Sequence, residues 1–146
     1  MTAPGTEIAA LQGALAAEHA AVYGYGVVGA VLTGAGQARA RTDWIAHQVA
    51  RDTLETMLTR LGAVPAAASP AYQLPFAVSA AAAAQRLAAV LEDGVTRAYL
   101  GLVAVSDPAL RSFAARAMQA SATRSASWSG TTQAFPGLPV RAAGRG

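Results

Sequence analysis

Cysteine is absent from this chain of 146 residues, which excludes disulfides, thiolate metal sites and a cysteine nucleophile. Lysine and asparagine are absent too, so every basic side chain other than two histidines is an arginine. Codon bias in a high-GC genome accounts for that pattern before function does. Charge is scarce, with Asp, Glu, Lys and Arg together making 13% of the residues. The net charge of +3 leaves room for an acidic partner, yet the arginines are scattered and form no basic run, so nucleic acid is not an expected partner. The longest apolar-plus-glycine stretch, Ala20 to Leu32, is too short to cross a bilayer and begins beside Glu18 and His19. Met1 to Thr6 lacks the charged start and apolar segment of a signal peptide, so a soluble, cytoplasmic protein without membrane contact is expected. No strand-like alternation and no glycine-rich phosphate loop occur. The serines at Ser121, Ser125, Ser127 and Ser129 have no histidine nearby in sequence and carry no nucleophilic role.

What remains is abundant in helix formers. Apolar residues make up 53% of the chain, and alanine alone is about a quarter of it. Helical stripes recur along the chain. Ile8, Leu11, Leu15, Glu18, Val22, Tyr25, Gly29 and Leu32 mark a first helix that Thr6 caps, followed by a break at Thr33 to Gly36. A second helix from Ala38 to Leu61, stopped by Gly62, carries Trp44, His47, Arg51, Leu54 and Leu58. Ala63 to Phe76 holds three prolines and cannot be helical; its 14 residues could extend to roughly 45 Å, enough to return the chain along a whole bundle. A third helix from Val78 to Val105 carries Gln85, Glu92, Val95 and Tyr99. Asp107 and Pro108 cap and open a fourth, which runs to Trp128 with Leu110, Phe113, Ala117, Ala120 and Arg124 on one face. Residues 1–139 form one domain and 140–146 a fraying tail, with Phe135 and Leu138 placed to dock on the bundle.

Two short turns and one long crossover predict helices running up, down, down, up. Counting from the shared ends, Glu18 then lies level with Arg51, with Glu92 and with the part of helix 4 that holds Arg116, Gln119 and Arg124. His47 falls one turn higher, near Tyr23 and Tyr25. A buried charge must be paired, protonated or metal-bound, and a guanidinium has donors enough for two carboxylates. The expected polar core layer is Glu18, His47, Arg51, Glu92, Gln119 and Arg124, built as an ion-pair network. Tyr23, Tyr25, Trp44 and Tyr99 could line a small pocket above it, although aromatics at helical spacing are more often simple core. His19, off the stripe, is read as a surface or partner-helix residue.

On Glu18, His47, Glu55, Glu92 and the long crossover, the chain resembles the ferritin-like superfamily. Within it, the stretches LQGALAAEHAAVYGYGVVGA, HQVARDTLETMLTRLG and LRSFAARAMQASATRSASW are similar to an actinobacterial ferritin-like domain of unknown function. The resemblance implies an all-α, up-down-down-up four-helix bundle. Its diiron branch uses one Glu on each of two helices and Glu-x-x-His on each of the others. Glu18 and Glu92 match the single carboxylates, but Trp44 stands three residues before His47, and helix 4 has neither Glu nor His. The expected function is therefore binding or structural rather than enzymatic, without a cofactor. Self-association as a homodimer is expected through Gly24, Gly26 and Gly29. The alternative is a metal-dependent oxidase or small-ligand site, with iron or manganese on Glu18, His47, Glu55 and Glu92.

Overall fold

A computed structural model describes residues 4–132 together with Pro136 and Leu138. Four α-helices account for most of it: α1 Pro4–Val31, α2 Gly34–Arg60, α3 Ala81–Val103 and α4 Pro108–Ser129. The expected docking of Phe135 and the tail 140–146 lie outside the described residues, and Leu138 is exposed.

The ends of the helices follow local chemistry. α1 begins at Pro4, so Thr6 sits inside the first turn and does not cap it. Only Leu32 and Thr33 separate α1 from α2. Gly34 takes a φ of +57° there, which opens α2 four residues earlier than its apolar pattern suggests. At the other end of α2, Gly62 has a φ of +75°, and the Ala63 amide reaches back to the Leu58 carbonyl at 3.0 Å, satisfying an orphan acceptor of the last turn. Asp107 caps α4, its carboxylate accepting from the Ala109 amide at 2.7 Å with Pro108 in the first turn. α3 is shorter than expected at both ends, starting after an extended Ala80.

Helix directions can be read from close approaches. Gly24 lies against Leu91, and Gly101 against Ala10, so α1 and α3 run antiparallel. The tight turn makes α1 and α2 antiparallel as well, which leaves α2 and α3 parallel. The long segment between them must therefore carry the chain back from one end of the bundle to the other. It climbs beside α1: Gln12 donates to the Val64 carbonyl at 2.7 Å and accepts from the Ala66 amide at 2.9 Å. His19 contacts the Ala66 carbonyl at 2.9 Å, and Tyr23 packs on Tyr72 with ring centroids 5.4 Å apart. His19 is thus buried beneath the crossover.

α1 packs on α2 and on α3, and α3 packs on α4. The core forms two clusters. A lower one gathers Leu11, Leu15, Leu54, Leu58, Tyr99 and Leu102. An upper one gathers Tyr25, Val28, Ala40, Leu87, Ala88 and Trp128. Between them in every helix comes a polar position. No helix among the described residues is long and apolar enough to cross a membrane.

Candidate functional site

Glu18 is the one carboxylate on the α1 stripe, and with its neighbours' apolar positions facing inward it has to follow them. It is 1% exposed; His47 on α2 is also 1% exposed and Glu92 on α3 is fully buried. The imidazole of His47 lies between the two carboxylates. Its Nδ1 is 2.6 Å from Glu18 Oε2 and its Nε2 is 2.9 Å from Glu92 Oε1. A neutral imidazole has one donor and one acceptor, whereas both nitrogens here face carboxylate oxygen, so the arrangement calls for the doubly protonated ring. Burial works against that charge, but the hydrogen bonds to Glu18 and Glu92 and their charges outweigh it and hold the His47 pKa up at about 9.

Two tyrosines extend the chain of hydrogen bonds. Tyr99 donates to Glu18 Oε1 at 2.8 Å, and Tyr25 donates to Glu92 Oε1 at 2.6 Å while stacking on the His47 ring. Burial first, then the adjoining carboxylates, push both hydroxyls far above their ordinary range, so each stays a donor. The result is an unbroken path from Tyr25 through Glu92, His47 and Glu18 to Tyr99. Thr96 adds a bond from its hydroxyl to the Glu92 carbonyl.

Beyond Glu92 the network crosses to α4. Asp43, one turn above His47, accepts from Trp128 Nε1 at 2.9 Å and lies 3.5 Å from Arg124 Nε. Arg124 Nη1 is 3.9 Å from Glu92 Oε2, too far for a hydrogen bond, and that oxygen is buried without a partner among the described residues. Arg39 lies over the Trp128 ring at 3.8 Å and donates to the Ser127 carbonyl, closing this end of α2 and α4 together.

The structure thus brings Glu18, His47 and Glu92 together, with Arg124 at the edge. It corrects the expected place of Arg51. Arg51 bonds Asp52 at 2.8 Å near the surface, one turn below the layer. The physical cause is the early start of α2 at Gly34: four residues are one helical turn, and they move His47 to the level where counting had put Arg51. Gln119 is exposed on the outer face of α4, so it too lies outside the layer. Glu55, two turns below His47, does not reach the other carboxylates, and no group of three or more His, Asp or Glu among the described residues is arranged to hold a metal ion. The four aromatics do not share a pocket. Tyr23 packs on the crossover, Tyr25 and Trp44 border a cleft of about 540 Å³ between α1 and α2, and Tyr99 faces the opposite groove. The apolar pattern does not mark Asp43 or Trp128 as site residues, although each stands one turn from His47 or Arg124.

The chain belongs to the family described as a domain of unknown function, DUF4439, whose match covers residues 10–140. It is similar to a conserved hypothetical protein, rv2844, from Mycobacterium tuberculosis, known from a crystal structure. The two are 34% identical with a TM-score of 0.85, over 88% of this chain and 98% of that one. No curated protein matches the chain.

Proposed function

We propose that this DUF4439 chain is a ferritin-like bundle with a binding or structural role, in which the imidazolium of His47 occupies the position between carboxylates that a metal takes in diiron relatives. The observation that carries the reading is the engagement of both His47 nitrogens, at 2.6 and 2.9 Å, by Glu18 and Glu92. A ring so held has no lone pair to offer a metal, and metal ligation requires the neutral form. Arg124 beside Glu92 adds a second fixed positive charge where a diiron site needs extra carboxylates. Glu55, the remaining ligand candidate, stands apart. The residues therefore do not fit a diiron centre.

Such a network need not raise net stability, but it fixes which faces of the four helices meet. Self-association belongs to the same proposal. Gly24 is taken up by packing on Leu91, while Gly26 and Gly29 line the open cleft between α1 and α2 with nothing within 4 Å of an added Cβ, which leaves room there for a second copy to approach. Elemental analysis of untagged protein after iron or manganese loading tests the central claim. Metal well below one equivalent, and a melting temperature unmoved by chelator, are expected. A stoichiometric transition metal would overturn the reading in favour of the oxidase alternative.

A further inference from the structure

We infer that the groove between α2 and α4 is a binding site for a small amphiphilic carboxylate of medium chain length. The inference rests on the binding role proposed above and names the ligand class for it. Below the bridge that Asp43 makes to Trp128 and Arg124, α2 and α4 do not close on each other, and a groove of about 280 Å³ runs between them. Its walls are Ala46 and Ala50 on one side and Ala117 and Ala120 on the other, with Val49 at the rim 61% exposed. Small apolar residues on both faces would let two helices approach closely; here they leave a trough that none of the described residues fills.

Charge selects the occupant. Two arginines on α4 line the groove, Arg116 at its lower end and Arg124 at its upper end. Arg116 is exposed and makes no ion pair among the described residues. Among the described residues Arg124 is held only by contacts of 3.5 and 3.9 Å, longer than a charge-assisted hydrogen bond. A carboxylate head pairs with the free guanidinium of Arg116 at the open end, where little desolvation is paid. The alkyl tail lies between the alanines and ends short of Arg124, whose charge is already answered by Asp43 and Glu92. Eight residues of α4 separate the two arginines, about 12 Å along the helix, comparable to an extended acyl chain of about eight carbons. The polar floor of Glu18, His47 and Tyr99 is already saturated by its own hydrogen bonds, so it shapes the groove and leaves recognition to the arginine.

Calorimetric titration of the whole protein with octanoate, and with octylammonium as the same tail under opposite charge, tests this directly. Saturable octanoate binding and no octylammonium binding are expected. Arg116→Gln, at an exposed position, should weaken octanoate about tenfold, the effect of one lost charge-assisted contact. Ala120→Phe should fill the trough and abolish binding with the fold retained by circular dichroism. Absence of saturable octanoate binding, equal binding of octylammonium, or an undiminished affinity in both variants would each overturn the proposal. So would sedimentation showing a dimer from which octanoate is excluded, since a second copy would then be the occupant. Metal analysis of the same sample separates the two proposals. Stoichiometric metal with octanoate still bound overturns only the imidazolium reading, and a metal-free protein that ignores octanoate overturns only this one.

Discussion

The α1–α3 seam and the α2–α4 seam both use small residues, and they end in opposite states. At the first, Gly24 admits Leu91 so closely that an added Cβ would lie 2.5 Å from its Cδ1, and Gly101 meets Ala10. At the second, alanines face each other across open space. Small residues permit close approach; a large side chain that interlocks is what enforces it, because dispersion rewards only atoms that touch. Leu91 supplies that on one side. On the other, α4 presents Arg116 and Arg124, and α2 presents Asp43 and His47, whose charges must be satisfied before the backbones can draw together. The seam is accordingly held at one end by a polar bridge and left apart below it.

The largest expected effect comes from removing the charge on α2 that ties it to α1 and α3 beside the open seam. His47→Ala would leave Glu18 and Glu92 buried with no cation between them. Loss of one partner from a buried ionic network costs about 3–5 kcal/mol, and denaturant unfolding at pH 7 reads it directly. A midpoint like that of the parent would mean that the carboxylates are neutral or paired elsewhere, and the polar layer would lose its central member.

Proton linkage gives a second, slightly smaller effect. The His47 pKa in the folded protein, about 9, lies above its ordinary value of 6.5. The charged form is therefore the one that folding favours. Its stabilisation is fully present below about pH 6.5 and is lost as pH rises through 9, to a total of about 3 kcal/mol. Unfolding midpoints should fall across that window in the parent and stay flatter in His47→Gln. A parent stability that rises from pH 7 to 9 would reverse the sign and refute the imidazolium.

Much of this architecture can be read from the chain. The apolar stripes, the prolines of Ala63 to Phe76 and the Asp107-Pro108 restart give four helices and a long crossover. Glu18 and Glu92 announce themselves as charges on apolar faces. What the pattern does not show is where α2 begins, because Thr33 to Gly36 looks like a break while the backbone turns at Leu32 and Thr33 and continues from Gly34. Helix starts depend on a few dihedral angles that side-chain periodicity does not record, and an error of one turn exchanged Arg51 for His47. Asp43 stayed hidden for a related reason: on α2 it precedes the apolar stripe, and only the chain-distant Trp128 and Arg124 explain its burial.

The smallest effect tests the closed seam itself, by comparing two glycines of one helix. Gly24 and Gly26 both lie inside α1 and carry the same intrinsic penalty, so an alanine at either gains up to about 1 kcal/mol of helix propensity. At Gly26 nothing in the chain's described residues lies within 4 Å of the added methyl, and that gain should appear as a raised melting temperature at protein concentrations where the chain is monomeric. At Gly24 the methyl meets both Cδ atoms and the Cγ of Leu91. Leu91 is half-buried and can swing aside, so the clash is relieved by giving up part of the contact that closes the seam, at an overpacking cost of about 1–3 kcal/mol. Gly24→Ala should therefore be neutral to destabilising and Gly26→Ala stabilising. The double variant Gly24→Ala, Leu91→Ala separates the causes: it removes the clash, so adding the Gly24 methyl on the Leu91→Ala background should show the propensity gain that Gly26→Ala shows in the parent. Equal shifts for the two single variants would mean that α1 and α3 are no more tightly joined than α2 and α4.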